Sequence, residues 1–166
     1  LAAIEELCDY YSTTVVLCTA TQPALETQWP FGSQPIDIVA PNQRHSEVFD
    51  QRVEIDYIGE RSSSDLADEL AKNNQVLCVV SSRKAASDLY DHLVDRMGSE
   101  GLFHLSALMV PAHRVITLEN IRANLDAGKR CVVVSTQLVE AGVDIDFPIV
   151  YREIAGIDAI KQAAGR

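Results

Sequence analysis

An α/β fold with a mainly parallel sheet and helices on both faces is the architecture this sequence predicts, from three observations. Short continuous apolar runs recur at Val76–Val80, Cys131–Val134 and Pro148–Tyr151, each the length of a strand buried on both faces. Segments with apolar residues at helical spacing separate them, and Gly98 and Gly128 stand where two of those helices should stop. Regular strand-helix alternation then implies parallel strands joined by right-handed crossovers.

In chain order, Leu1, Ile4, Leu7, Cys8 and Tyr11 recur at helical spacing, and Thr14–Cys18 reads as a buried strand. From Gln22 to Gln51 the pattern dissolves into Pro23, Pro30, Gly32, Pro35 and Pro41, which is linker chemistry. Residues 1–21, 22–51 and 52–166 are therefore expected to be the end of one domain, a linker and a second domain. Val53–Ile58 alternates like a strand, and Leu66, Ala67, Leu70 and Ala71 mark a helix. Ala85, Ala86, Leu89, Tyr90, Leu93, Val94 and Met97 share one face of the next helix. Phe103–Leu105 is a short strand, Pro111–Ala127 a helix, and Ile157–Ala164 a last helix. Because the chain opens inside a helical pattern and closes on Gly165-Arg166, it is expected to be a fragment.

Composition bounds the chemistry. The 166 residues are 47% apolar and carry a net charge of -10, which argues against indiscriminate polyanion binding, mostly a Lys/Arg effect. Any nucleic acid must be held locally. No apolar run approaches the roughly 18 to 20 residues of a membrane span, so a cytoplasmic protein without membrane contact is expected. The cysteines (Cys8, Cys18, Cys78, Cys131) form no Cys-x-x-Cys pair, and His45, His92, His104 and His113 are dispersed; no metal is expected on this chain.

In parallel sheets the functional edge lies beyond the carboxyl ends of the strands. Small hydroxyls stand there repeatedly: Thr19-Ala20-Thr21, Ser81-Ser82-Arg83, Ser106 and Ser135-Thr136. Each could be a helix cap and nothing more. Together, with Arg83 beside them, they suit a sugar-phosphate backbone, which needs positioning contacts and no base readout.

Three segments resemble helicase motifs. Val134–Asp146, with Thr136, Gly142 and Asp144, resembles motif V of superfamily 2 helicases; the resemblance implies that Thr136 contacts nucleic acid and that Gly142 and Asp144 face the nucleotide. Gln162-Ala163-Ala164-Gly165-Arg166 resembles the opening of motif VI, which implies nucleotide-site roles for Gln162 and Gly165 and makes Arg166 an arginine finger, a rigid, permanently charged fork able to bridge phosphate oxygens. Thr19-Ala20-Thr21 resembles motif III, which implies that Thr19 and Thr21 couple the two lobes.

Taken with Leu105-Ser106, Pro111-Ala112-His113-Arg114 and Tyr151-Arg152, these segments resemble the helicase part of the CRISPR-associated type I helicase-nuclease family, from about Thr14 onward. The resemblance implies a RecA-like second lobe, preceded by the last helix-strand unit of the first, with Ser82, Arg83, Ser106, Arg114 and Thr136 on the nucleic acid. Ala107-Leu108 stands where the family has Thr-Asn, so no contact is carried over to those two. The resemblance further implies ATP and Mg²⁺ held through the first lobe, and single-stranded DNA pulled toward an HD nuclease. It also implies recruitment by an RNA-guided surveillance complex, in a bacterial or archaeal cytoplasm. A superfamily 2 helicase acting on other DNA or RNA, or a non-catalytic RecA-like binding module, are the alternatives. No Gly-x-x-x-x-Gly-Lys-Ser/Thr loop and no Asp-Glu-x-His/Asp box occur, so the chain alone is expected neither to hydrolyse ATP nor to unwind duplex.

Overall fold

The computed structural model describes residues 2–16, 54–137 and 145–156. The chain divides into two compact units, Leu1–Glu54 and Ile55–Arg166. Among the described residues of the first stands one helix, α1 (Ala2–Tyr11), with Tyr10 and Tyr11 exposed.

In the second unit the elements run α2 (Ser63–Leu70), β1 (Gln75–Val79), α3 (Arg83–Met97), β2 (Leu102–Leu105), α4 (Pro111–Asp126), β3 (Cys131–Ser135) and β4 (Val150–Arg152). The four strands form one sheet in the order β2-β3-β1-β4, and every pairing is parallel. The α/β architecture read from the alternation is the one observed. Each crossover lifts the chain onto a face, so the pleat sends alternate residues into two separate cores. Val76, Cys78, Val132 and Val134 pack with Ala67, Leu70, Ala86, Leu89 and Leu93 of α2 and α3. Leu77, Val79, Val133 and Leu105 pack on the other face with Ile121 of α4, joined by Ile145 and Phe147.

Local chemistry sets the helix boundaries. Ser62 caps α2 by accepting from the Asp65 amide at 3.1 Å, and Pro111 opens α4, where its missing N–H costs nothing. Gly98 ends α3 at φ 73°, in the left-handed region glycine reaches without strain. Arg96 ties α3 to α2 by donating to Asp68 at 2.5 Å and to the Ser64 hydroxyl at 2.7 Å; the Arg96 hydrogen bond holds the Asp68 carboxyl below its usual range.

Three expected strands differ from what is observed; the last, expected as a buried run at Pro148–Tyr151, is the half-buried Val150–Arg152, with Ile149 40% exposed. Thr14–Val16 forms no strand, and Val16 is exposed; Leu17 and Cys18 lie outside the described residues. An apolar run becomes a strand only where a neighbour completes its ladder, and none does so here among the described residues. Glu54–Ile58 likewise lacks strand structure despite its alternation, with Ile55 62% and Tyr57 75% exposed. Residues 56–61 and β4 together line a cavity of about 730 Å³, space that laddered strands about 4.8 Å apart would have closed. Val94, expected on the inner face of α3, lies toward solvent. The expected linker, 22–51, and the expected last helix, Ile157–Ala164, lie outside the described residues.

The cysteines behave as small hydrophobes where buried. Burial pushes the Cys78 and Cys131 thiols up to about 12, which keeps them protonated and unreactive.

Candidate nucleic-acid interface

Register decides what meets at the carboxyl edge. Leu105 pairs with Ser135, Ser135 with Val79, and Val79 with Arg152, so these four form the last row across the sheet. The residues that follow, Ser106, Thr136, Val80 and Glu153, begin the rim. Ser106 and Thr136, thirty residues apart in sequence, therefore sit at adjacent strand ends on the same edge. The bond from the Thr136 amide to the Leu105 carbonyl at 3.3 Å continues that alignment past the strands.

The hydroxyls of this rim are not equivalent. Ser135 is fully buried and its hydroxyl faces the Thr136 and Leu105 carbonyls at 2.8 and 3.3 Å; it holds β3 to β2 and has no surface to offer a ligand. Ser106 and Thr136 are buried but not fully enclosed, each 8% exposed. The Ser106 oxygen accepts from the Leu108 amide at 3.2 Å, fixing the turn into α4. Ser82 is the N-cap of α3, accepting from the Ala85 amide at 3.1 Å. Capping occupies an acceptor lone pair and leaves the hydroxyl proton free to donate, so it does not exclude a phosphate contact. Arg83 follows as the first residue of α3 and is exposed. Arg114 lies in the first turn of α4, half-buried, with its Nε buried and without a hydrogen-bond partner.

Of the expected site residues, Ser82, Ser106 and Thr136 thus come together along one edge, with Arg83 and Arg114 on the first turns of the two helices that leave it. Thr19, Thr21, Gly142, Asp144, Gln162, Gly165 and Arg166 lie outside the described residues. Within the Val134–Asp146 segment Ser135, Thr136 and Ile145 are buried, as is Phe147 just after it.

The opposite, amino-terminal edge is consumed internally. Gln75 Nε2 donates to the Leu125 and Lys129 carbonyls, each at 3.2 Å, and Asn74 Nδ2 to the Gly128 carbonyl at 3.1 Å. Those side chains clamp the end of α4 to the start of β1.

Sequence reasoning passed over Glu153. Its Oε2 accepts from the Ser81 amide at 2.5 Å and the Ser81 hydroxyl at 2.7 Å, bridging the ends of β4 and β1. These bonds, the hydroxyl first and the amide second, hold its carboxyl below the usual glutamate range. The available signal was positional: Glu153 directly follows the fourth strand, at the same edge as the serines. A carboxylate with a depressed folded pKa stabilises the fold above its unfolded pKa, and that contribution disappears as pH falls through the folded value. Glu153→Gln should therefore melt below wild type at pH 7, with the gap shrinking as pH drops beneath about 4; a thermal melt series checks this.

Among the described residues, no group of three or more His, Cys, Asp or Glu side chains could hold a metal, and no helix is long and apolar enough to cross a membrane. His104 stacks on Tyr90 with ring centroids 5.6 Å apart, and burial lowers its pKa.

A four-stranded parallel sheet flanked by helices is an α/β fold, and solved helicase structures share it. The chain is similar to T. fusca Cas3 bound to ATP (23% identity, TM-score 0.53, covering 68% of this chain and 14% of that one). It resembles the DUF1998 helicase MrfA bound to DNA to the same degree (24%, 0.52, 68% and 17%). A curated Haloferax volcanii CRISPR-associated nuclease/helicase Cas3 is 57% identical over 35 residues, which is 21% of this chain and 4% of that protein. The family profile described as CRISPR-associated nuclease/helicase Cas3, C-terminal, matches residues 72–166. The chain belongs to that Cas3 helicase family and spans a small part of the length of the relatives it matches.

Proposed function

We propose that this chain is the strand-gripping half of an ATP-driven motor that translocates along single-stranded DNA, 3' to 5', and feeds it to a nuclease in CRISPR type I interference. The observation that carries the reading is the juxtaposition of Ser106 and Thr136 at adjacent strand ends, with Ser82 capping the helix that leaves the next strand. Hydroxyls and helix-terminal amides at one edge can hold successive phosphates without reading bases, which is what a motor that must move along any sequence requires. The net charge of -10 fits a grip made by a few placed groups rather than by a basic surface.

In this reading ATP and Mg²⁺ belong to the cleft between this lobe and the first. Gly142, Asp144 and Gly165 line that cleft from this side, and Gln162 and Arg166 act on the phosphates. Arg166 stabilises charge on the terminal phosphate during transfer. Thr19 and Thr21 couple the state of the nucleotide to lobe movement. The protein works in the cytoplasm, beside an HD nuclease and an RNA-guided surveillance complex that opens the duplex.

The test is binding of a labelled oligothymidine to the intact protein. Losing one phosphate hydrogen bond costs on the order of 1 kcal/mol, so Ser106→Ala and Thr136→Ala should each weaken binding several-fold, and the double variant about thirtyfold. Wild-type affinity in the double variant would rule out this edge as the grip.

A further inference from the structure

We infer that Glu153 is a positioning residue for the nucleic-acid grip: its carboxylate clamps the β1–α3 turn to the end of β4 and so fixes Ser82 and Arg83 at the rim. The inference rests on the reading of that rim as a strand-gripping edge.

Three observations carry it. The β1–α3 turn is only Val80-Ser81-Ser82 between two regular elements, so whatever holds Ser81 sets the position of the next two residues. Ser81 is held at both its amide and its hydroxyl by one oxygen, Glu153 Oε2. Two charge-assisted bonds to a single acceptor define direction as well as distance, and each is about twice as strong as a neutral one. Finally, Glu153 is itself fixed, because its amide donates to the Val79 carbonyl at 2.9 Å, extending the β4–β1 ladder by one residue. The clamp thus transmits the geometry of the sheet to the first turn of α3, whose Ser82 already caps its own helix.

The charge has a second consequence. In rim order the edge runs Ser106, Thr136, the Ser81-Ser82 turn, then Glu153. A phosphodiester cannot extend over a carboxylate without like-charge repulsion, so the track ends at β1 and lies over the ends of β2, β3 and β1.

The experiment compares Glu153→Ala, Glu153→Gln and Ser81→Ala in the intact protein. Its readouts are oligothymidine affinity by fluorescence anisotropy and the thermal midpoint, with Thr136→Ala as the test of the rim itself. Glu153→Ala should weaken binding about tenfold, as expected for loss of hydrogen bonds to a charged group. Glu153→Gln, which keeps a carbonyl oxygen for Ser81 to donate to, should recover most of that loss. Glu153→Ala combined with Ser81→Ala should bind no worse than Glu153→Ala alone, since both remove one interaction. Rescue by glutamine separates positioning from bulk destabilisation. Wild-type or tighter binding by Glu153→Ala, with Thr136→Ala weakened, overturns the clamp and leaves the rim standing; wild-type binding by both overturns clamp and rim together. Should the alanine variant fail to fold, weakened binding by Ser81→Ala supports the clamp, and wild-type binding by that variant overturns it.

Discussion

Replacing Arg166 with alanine in the intact protein should lower DNA-stimulated ATP turnover about a thousandfold, with little change in the affinity for the DNA strand. Arg166 ends the Gln162-Ala163-Ala164-Gly165-Arg166 segment, whose likeness to motif VI is the ground for proposing it as the finger that reaches a terminal phosphate. A guanidinium there stabilises charge that develops only during transfer, and removing such fingers costs about three to five orders of magnitude in kcat elsewhere. Arg166→Lys should not restore the rate, because an ammonium cannot span two oxygens as a planar fork does. Steady-state ATPase with saturating single-stranded DNA measures this, and an unchanged kcat would remove Arg166 from the motor.

The largest effect on the fold should come from Gly101→Val. Gly101 sits at φ 70° just before β2, and a Cβ built there would lie 2.5 Å from the Arg130 carbonyl oxygen. Its own carbonyl accepts from the Val132 amide at 2.8 Å, so the glycine is where β2 and β3 first come into register. A side chain meets both the strain of left-handed backbone, about 1 to 3 kcal/mol, and a clash with backbone that cannot move without breaking the pairing. A fall of on the order of 10 °C or more in the melting midpoint is expected. Gly98→Ala is the control: φ is similar at 73°, but nothing lies within 4 Å, so only the backbone strain of about 1 to 3 kcal/mol should remain. Equal losses at the two positions would mean that the close approach at Gly101 does not matter. Because Ser106 and Thr136 are brought together by the β2–β3 pairing, residual folded Gly101→Val protein should also bind DNA poorly.

These two variants touch parts that differ in how legible they were. Buried strands announced themselves because an apolar run such as Cys131–Val134 has few other places to go, and Gly98 and Gly128 marked real helix ends. The hydroxyl row was readable for the same reason, since residues just past a parallel strand must lie at its carboxyl edge. What periodicity could not supply was partnership. Glu54–Ile58 alternates as a strand does, yet a ladder needs a neighbour at the right distance, and that is a property of the whole sheet. Nor could it separate Ser135, turned inward onto two carbonyls, from Thr136 beside it, because one residue of pleat decides which faces solvent. Glu153 was missed because a single glutamate after a strand carries no pattern; only the register, which sets β4 beside β1, shows what it holds.

In the proposed grip, one edge of this sheet carries the DNA backbone. A crystal structure of the intact protein with an oligothymidine and a non-hydrolysable ATP analogue tests it most directly. Phosphate oxygens are expected within about 3 Å of the Ser106 and Thr136 hydroxyls, along the ends of β2, β3 and β1. A strand that runs instead along the Asn74-Gln75 edge, or over the outer face of α3, would contradict it.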